Sequence, residues 1–499
     1  MPVDPQAYRP ETALLTLGDA FYDPVEGARF PAARLRFRNT RAAAEVGLET
    51  LTDAEWIAHF GRFDALPGTL PQPLALRYHG HQFRHYNPEI GDGRGFTFAQ
   101  MRDRGGRLMD LGTKGSGTTP WSRFGDGRLT LKGGVREVLA SEMLEALGVP
   151  TSRSFSLIET GEALERGDEP SPTRSAVLVR LSHGHIRIGT FQRLAYLRDD
   201  ENLRRLVGYT LDNLLSPSRL REGAGGGQRR EGSMPDRRFA PGEPLRDSRP
   251  HPDPLPQAGE GVELLDLVVA RTARLAARYM AAGFVHGVLN SDNINVTGES
   301  FDYGPWRFAP TWDPAFTAAY FDHAGLYAFA RQPEAIHWDT MQLAVSLRTV
   351  ADSDALIASL EAFAAHYQRE VSAAILWRMG LVPDTPEHDR ALVVAVERAL
   401  HATGFSIDRF FHDVFGGALP ESYGPELDAV RAALVHAPRA DRSHPHWRGE
   451  PCSMLIDEVE AIWAAIDRDD DWSPFHAKIE AIRRMGEALD TTGPLRAKR

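Results

Sequence analysis

Gly283-Phe-Val-His-Gly-Val-Leu-Asn-Ser-Asp-Asn-Ile-Asn-Val296, followed closely by Phe301-Asp-Tyr-Gly304, is the stretch on which the reading of this chain depends. Apolar residues bracket the polar run Asn290-Ser-Asp-Asn293, and a further carboxylate, Asp302, stands in a strand-turn-strand pattern just beyond it. Asn, Ser, Asp and Gly between apolar runs also make plain turns, because their side chains hydrogen-bond the local backbone. The carboxylate at Asp302 favours a site. Asn293 and Asp302 together offer the hard oxygen ligands that Mg²⁺ takes alongside phosphate oxygens.

Protein kinases hold a metal-bound triphosphate with an H-R-D-x-x-x-x-N loop and a later D-F-G turn. His286 and Asn293 stand at the spacing of the loop, and Asp302-Tyr-Gly304 takes the place of the turn. In that register the catalytic aspartate is replaced by Val288, a side chain that neither accepts a proton nor orients a hydroxyl. Asp292 is an extra carboxylate with no counterpart in the kinase pattern. The metal-binding pair survives while ordinary kinase chemistry is not expected.

Upstream, Val262–Met280 reads as an amphipathic helix with Arg271, Arg274 and Arg278 along one stripe and Gly283 as its stop. Before it, residues 215–261 form a Pro, Gly and Arg mixture with too little apolar surface to offset the entropy of ordering. This tract is expected to be a disordered insertion, similar to the translated mobile palindromic elements found within bacterial genes. Downstream, Trp306 to Tyr320 is aromatic-rich and irregular, and helical repeats follow over Trp338–Val350, Ser353–Met379, Pro386–Thr403, Ile407–Phe415 and roughly Asp457–Leu489.

Nearer the start, Asp53–Phe60 reads as a helix capped by Thr52. In Tyr78-His-Gly-His-Gln-Phe-Arg-His-Tyr86 the histidines His79, His81 and His85 invite a zinc reading, but no cysteine or nearby acid completes it, and a structural role is favoured. Gly91-Asp-Gly-Arg-Gly95 then lets the backbone approach a ligand whose phosphates accept its N–H groups. Phe96–Met101 and Arg107–Lys114 read as a strand pair. In the second strand Met109, Leu111 and Thr113 share one face while Asp110, Gly112 and Lys114 share the other.

A buried lysine needs a partner. The helix Val135–Leu147 offers Glu137 to Lys114, although a carboxylate near a helix start is also favoured simply by the dipole; Glu142 and Glu145 read as surface residues. Strands Ser154–Glu159 and Ser175–Leu181 follow. Arg180 and Arg187, on a strand and the turn after it, are either a clamp for phosphate oxygens or ordinary surface arginines.

The 499 residues carry 42% apolar and 25% charged side chains and a formal charge of -11, which suits a globular protein and argues against general affinity for nucleic acid or anionic membrane. One cysteine, Cys452, excludes an internal disulfide framework and a cysteine-rich zinc site. There is no run long enough to span a membrane and no secretory leader at Met1-Pro-Val-Asp-Pro5, so the cytoplasm is the expected compartment.

The set Gly91-x-Gly-Arg94, Leu111 to Gly127, Arg136-Glu137, Ala176 to Arg180, His185 to Gly189, His286 to Asn293 and Asp302 to Pro305 resembles the selenoprotein O family, from about Tyr78 to Leu347 apart from the insertion. That resemblance implies an α+β, two-lobed protein-kinase-like fold: a β-rich N-lobe with an αC-type helix, a mostly helical C-lobe, and terminal extensions. It implies an enzyme that binds ATP in a flipped orientation and transfers AMP to Ser, Thr or Tyr hydroxyls of proteins with pyrophosphate release. Uridylyl transfer falls within the same expectation. Position by position, Gly91, Gly93, Arg94, Lys114, Asp126, Gly127, Arg180, Arg187 and Asp302 would contact ATP, Asn293 and Asp302 would hold Mg²⁺ (or Mn²⁺), Asp292 would be the general base, and Glu137 would hold Lys114 in place. Partners would be ATP and protein substrates, with neither nucleic acid nor membrane.

The expected organisation is an extension over residues 1–75, a nucleotide-binding lobe over 76–190, a catalytic lobe over 191–420 and a helical extension over 421–499. The family's C-terminal cysteine or selenocysteine cluster is missing from Pro494-Leu-Arg-Ala-Lys-Arg499, which puts redox control of that type in doubt. A kinase-like phosphotransferase and a silent ATP-binding scaffold, the latter favoured by Val288, are the alternatives.

Overall fold

The computed structural model describes residues 7–167, 169–215 and 258–490. Its strands are β1 (Pro10–Glu11), β2 (Tyr22–Pro24), β3 (Arg34–Arg38), β4 (Leu74–Leu76), β5 (Gly80–Gln82), β6 (His85–Asn87), β7 (Thr97–Arg102), β8 (Leu108–Lys114), β9 (Leu129–Thr130), β10 (Arg153–Leu164), β11 (Thr173–Ser182), β12 (Phe284–Val285) and β13 (Arg307–Phe308). An antiparallel nine-stranded sheet runs in the order β2-β4-β7-β8-β11-β10-β3, with β1 along β7 and β9 along β11. The fold class is α+β. The chain before residue 40 supplies three of the sheet's strands.

Period-two alternation gives this sheet two buried faces. Phe98, Met109, Leu111, Val177 and Val179 turn one way, under the helices Thr40–Glu45 and Asp53–Gly61. There Trp56 stacks on Phe155 at 4.9 Å and donates from Nε1 to Ser156 Oγ at 2.9 Å. The second of these helices begins as expected, with Thr52 and Glu55 forming a capping box. On the other face Leu157 and Leu178 pack with Val135, Val138 and Leu139 of the helix Leu131–Ala146.

That helix starts four residues earlier than its apolar repeat suggests, because Thr130 caps it through Gly133 N. The expectation that Glu142 lies at the surface is wrong. It is 4% exposed and grips Arg483 at 2.8 and 2.9 Å while accepting from Asn39 at 3.1 Å. Arg483 belongs to the helix Ser473–Asp490, so the last described helices pack back on the sheet-bound helix, helped by Lys132–Glu460 at 2.7 Å. Glu145 pairs with Arg153 at 3.0 Å.

After β11 the chain is mostly helical. Ala258–Ala282 packs against Gln332–Leu347 and Ser353–Arg378, and Gly283, at φ +68°, ends it and releases the short β12–β13 ribbon that carries the central loop between its strands. Gln332–Leu347 begins six residues before the expected Trp338, with Pro333 in its first turn. Pro386–Thr403 falls on the expected bounds, and Asp457–Leu489 resolves into Ile456–Asp469 and Ser473–Asp490. The tract 215–261 lies largely outside the described residues; Leu215 closes a helical turn, and residues 258–261 already belong to a helix. Among the described residues no helix is long and apolar enough to cross a membrane. Cys452 is buried, which pushes its thiol up to about 11.

Candidate nucleotide and metal site

A cavity of about 720 Å³ opens between the sheet and the central loop. On a chain of formal charge -11 its wall carries seven basic side chains against four acidic ones, a local surplus that suits a polyanion.

The strand register builds its inner end. β11 pairs with β8 so that Leu178 faces Lys114 and Arg180 faces Gly112. Lys114 and Arg180 are therefore diagonal neighbours on one face of the sheet. Both point at Asp302, which enters from the loop at a left-handed φ of +60°. Arg180 Nη1 lies 2.7 Å from Asp302 Oδ1, Lys114 Nζ 3.4 Å from the same oxygen, and Arg187 Nη1 3.2 Å from Oδ2. Lys114 also pairs with the buried Glu137, the partner expected for it. Lys114, Arg180 and Arg187 are only 6%, 5% and 3% exposed.

Arg187 is held from several sides. It donates to the Asp292 carbonyl at 3.0 Å and to Asp92 Oδ1 at 3.4 Å, and its guanidinium lies 4.3 Å over Tyr78 and 4.7 Å over Phe301. The surface reading of the two arginines falls away. Asp92 and Tyr78 are site residues that sequence reasoning missed; nothing in a lone Asp within a glycine turn, or a Tyr ahead of a histidine run, distinguishes them.

Two carboxyls in this cavity are driven in opposite directions. Burial raises Asp302, but Arg180, Lys114 and Arg187 outweigh it and hold the group well below the usual carboxylate range. Asp292 is raised to about 6, chiefly by burial, with Arg187 offsetting only part of it. Its Oδ1 is buried with no hydrogen-bond partner. The two environments keep Asp302 ionised and acceptor-only and let Asp292 exchange a proton far closer to neutrality than an ordinary carboxyl.

Asn293 ends the turn Ser291–Asn293 and donates from Nδ2 to Val288 O at 2.8 Å, which leaves its oxygen as an acceptor. His286 Nε2–H donates to Phe301 O at 3.0 Å, a carbonyl that can only accept, and burial lowers the pKa of the ring. This bond ties the loop to the segment bearing Asp302. No group of three or more His, Cys, Asp or Glu arranged for a metal occurs among the described residues. Asn293 and Asp302 line one cavity, and their oxygens fit a hard divalent cation whose remaining ligands are phosphates and water.

The outer wall is formed by residues 91–95 and 121–128. Gly91 and Gly93 line the cavity and also make room for a neighbouring loop: a Cβ at Gly91 would stand 2.6 Å from the Trp121 ring, and one at Gly93 would stand 2.9 Å from Trp121 O. These glycines admit the second loop, which then faces the cavity. Arg94 is exposed on this wall. Asp126 is exposed too and engages Arg166 at 2.9 Å, while Gly127 occupies φ +70° beside it. Of the expected nucleotide contacts, Lys114, Arg180, Arg187 and Asp302 converge at the inner end, whereas Arg94, Asp126 and Gly127 lie at the rim.

The three histidines do not gather around a metal. His79 pairs with Tyr86 OH at 2.8 Å and His81 with the Gln192 amide at 2.7 Å.

The chain matches the family model described as protein adenylyltransferase SelO over residues 6–424. It is 42% identical over 505 residues to a protein nucleotidyltransferase YdiU of Gloeobacter violaceus, covering 95% of each chain. It is 41% identical over 509 residues to that of Synechococcus elongatus, covering 96% of this chain and 95% of the relative. The relative of the same name from Azotobacter vinelandii is 32% identical over 451 residues, 90% of this chain and 82% of its own.

Proposed function

This chain belongs to the protein adenylyltransferase SelO family, and from that premise we propose that it transfers AMP from ATP to Ser, Thr or Tyr hydroxyls of proteins, releasing pyrophosphate. The observation that carries the reading is the pairing, in one cavity, of a cationic, buried inner end with the buried carboxylate of Asp292, whose Oδ1 has no hydrogen-bond partner.

The ATP is read as flipped. Lys114, Arg180 and Arg187 sit in the depth of the cavity, while Phe124, a fully exposed aromatic, stands on its outer wall. A triphosphate gains most from cations where water is excluded, so the β- and γ-phosphates go inward and the base remains at the mouth. That arrangement leaves the α-phosphorus facing the loop of Asp292. Asp292 takes the proton of the acceptor hydroxyl as its oxygen bonds the α-phosphorus and the bond to the β-phosphate bridging oxygen breaks. Lys114, Arg180 and Arg187 hold the charge of the departing pyrophosphate, and Glu137 fixes Lys114. Asn293 and Asp302 would hold Mg²⁺ or Mn²⁺, which supplies further neutralisation of the phosphate oxygens.

The sheet with the helix Leu131–Ala146 is read as the N-lobe of a kinase-like pair and the helices after it as the C-lobe, with 1–75 and 421–499 as extensions. Val288 favours a second reading, a nucleotide-binding scaffold without turnover, because it lies in the cavity wall at the position of the missing kinase aspartate. Parallel incubation with α-labelled and γ-labelled ATP decides. AMP transfer puts only the α-label on protein, phosphotransfer puts only the γ-label there, and a scaffold takes neither.

A further inference from the structure

The hairpin β5–β6, which carries the interleaved histidines and aromatic rings, has no part in the transfer step derived above, yet it is fastened to the loop that does. His81 N donates to Ser291 Oγ at 2.7 Å and Phe83 N to Asn290 Oδ1 at 3.0 Å. Ser291 Oγ donates in turn to Gln192 Oε1 at 2.6 Å, and the Gln192 amide meets His81 Nδ1 at 2.7 Å, closing a ring of bonds between the hairpin, the helix Ile188–Leu197 and the loop.

The tip is built to stay in place. Phe83 and Arg84 occupy left-handed φ values of 50° and 63° in a two-residue turn where Asn-Gly is the usual choice. Strain of this kind persists only where the surroundings over-determine it. The Phe83 ring lies 5.0 Å from Tyr327, and Arg84 pairs with Glu334 at 3.0 Å with its guanidinium 5.4 Å over the Trp338 ring.

Gly80 approaches the base so closely that a Cβ there would stand 2.8 Å from Asp292 Oδ1. Two residues on, and so on the same face of the strand, Gln82 lines the cavity with Asp292. Gln82 Oε1 accepts from Asn87 Nδ2 at 3.1 Å, which leaves the amide NH₂ as the end free to reach the carboxylate.

We propose that Gln82 is a positioning residue for nucleotidyl transfer: its amide, oriented by Asn87, holds the Asp292 carboxylate in the orientation that takes the proton of the acceptor hydroxyl. The proposal rests on Asp292 being the base and deepens that assignment. A residue that orients a reacting group through one hydrogen bond contributes on the order of 10- to 100-fold.

The test is steady-state transfer by the full-length protein with Mg²⁺ and ATP, using Gln82→Leu, Asn87→Ala, Asp292→Asn and the double variant Gln82→Leu with Asp292→Asn. Gln82→Leu is expected to lower kcat about 10- to 100-fold while KM for ATP and the melting temperature stay put. Asn87→Ala is expected to lower kcat alone by a smaller factor. The double variant is expected to be no slower than Asp292→Asn, since nothing is left for Gln82 to act on. The proposal is overturned by an unchanged kcat in Gln82→Leu, by a loss that follows KM and melting temperature, or by a loss that adds to that of Asp292→Asn. Full activity in Asp292→Asn would instead overturn the assignment of the base on which it stands.

Discussion

Arg180 Nη1 and Asp302 Oδ1 meet at 2.7 Å although 122 residues separate them in the chain. Asp302 is thereby shared among Arg180, Lys114 and Arg187. On the proposed reading these cations are on loan: an arriving triphosphate competes for them, and Asp302, so released, would be able to hold the divalent ion with Asn293.

Asp302→Ala removes the anion common to three buried cations, so it should destabilise the nucleotide-free protein by about 3 kcal/mol. Without divalent metal, ATP should then raise the melting temperature of the variant at least as much as that of the parent, because phosphate replaces the lost carboxylate. Added Mg²⁺ should raise the parent further and leave the variant unmoved. Thermal shift with and without EDTA reads all three, and a variant that no longer responds to ATP at all would contradict the account.

Lys114 and Glu137 form a buried pair whose members should be costly to remove singly. Lys114→Met strands the Glu137 carboxylate and should cost about 3 kcal/mol, whereas the double change to Met and Leu should cost clearly less. Urea denaturation of the four proteins measures the coupling, and strict additivity would show that the pair is not one. Both single variants should lose transfer.

Asp292 gives a pH-dependent signature. Its carboxyl is raised from 3.8 to about 6 in the folded protein, so folding favours the protonated form. Stability from this group is complete below about pH 4 and is lost as pH rises through about 6, a difference of about 3 kcal/mol. Asp292→Asn should therefore be more stable than the parent by up to that amount at pH 7 to 8 and equal to it near pH 4, while transfer falls by about 10²- to 10⁴-fold. Parallel unfolding curves across pH, with no change in the gap between the two proteins, would refute it.

Arg483→Ala leaves Glu142 buried with only Asn39 beside it. A loss of about 2 kcal/mol is expected, at the low end for a broken buried pair because Arg483 is itself a quarter exposed. Chemical denaturation checks the loss. Hydrogen exchange should show faster opening of Ser473–Asp490, and an unaffected helix would mean that this pair does not dock it.

These cases also show what the chain made legible. Lys114 and Glu137 lie 23 residues apart on a strand and the next helix, so alternation along one and position along the other suffice to pair them. Glu142 was misread because its partner is 341 residues away, on a helix whose docking no local pattern announces. The glycines at 91 and 93 were legible as sites of close approach, but the nearness of Trp121 was not, because it comes from a loop that sequence periodicity does not place. Asp92 accepts from Arg187 and Gln82 lines the cavity with Asp292, neighbourhoods made only when separate segments close on one cavity. The loop from His286 to Asn293 was legible because its chemistry is compressed into eight consecutive residues.

The most direct measurement is a crystal structure with a non-hydrolysable ATP analogue and Mn²⁺. The account predicts the γ-phosphate against Lys114, Arg180 and Arg187, the base beside Phe124, and an anomalous Mn²⁺ peak between Asn293 and Asp302. A base seated against Lys114 with the phosphates at the mouth, or no ion between those two side chains, would contradict it.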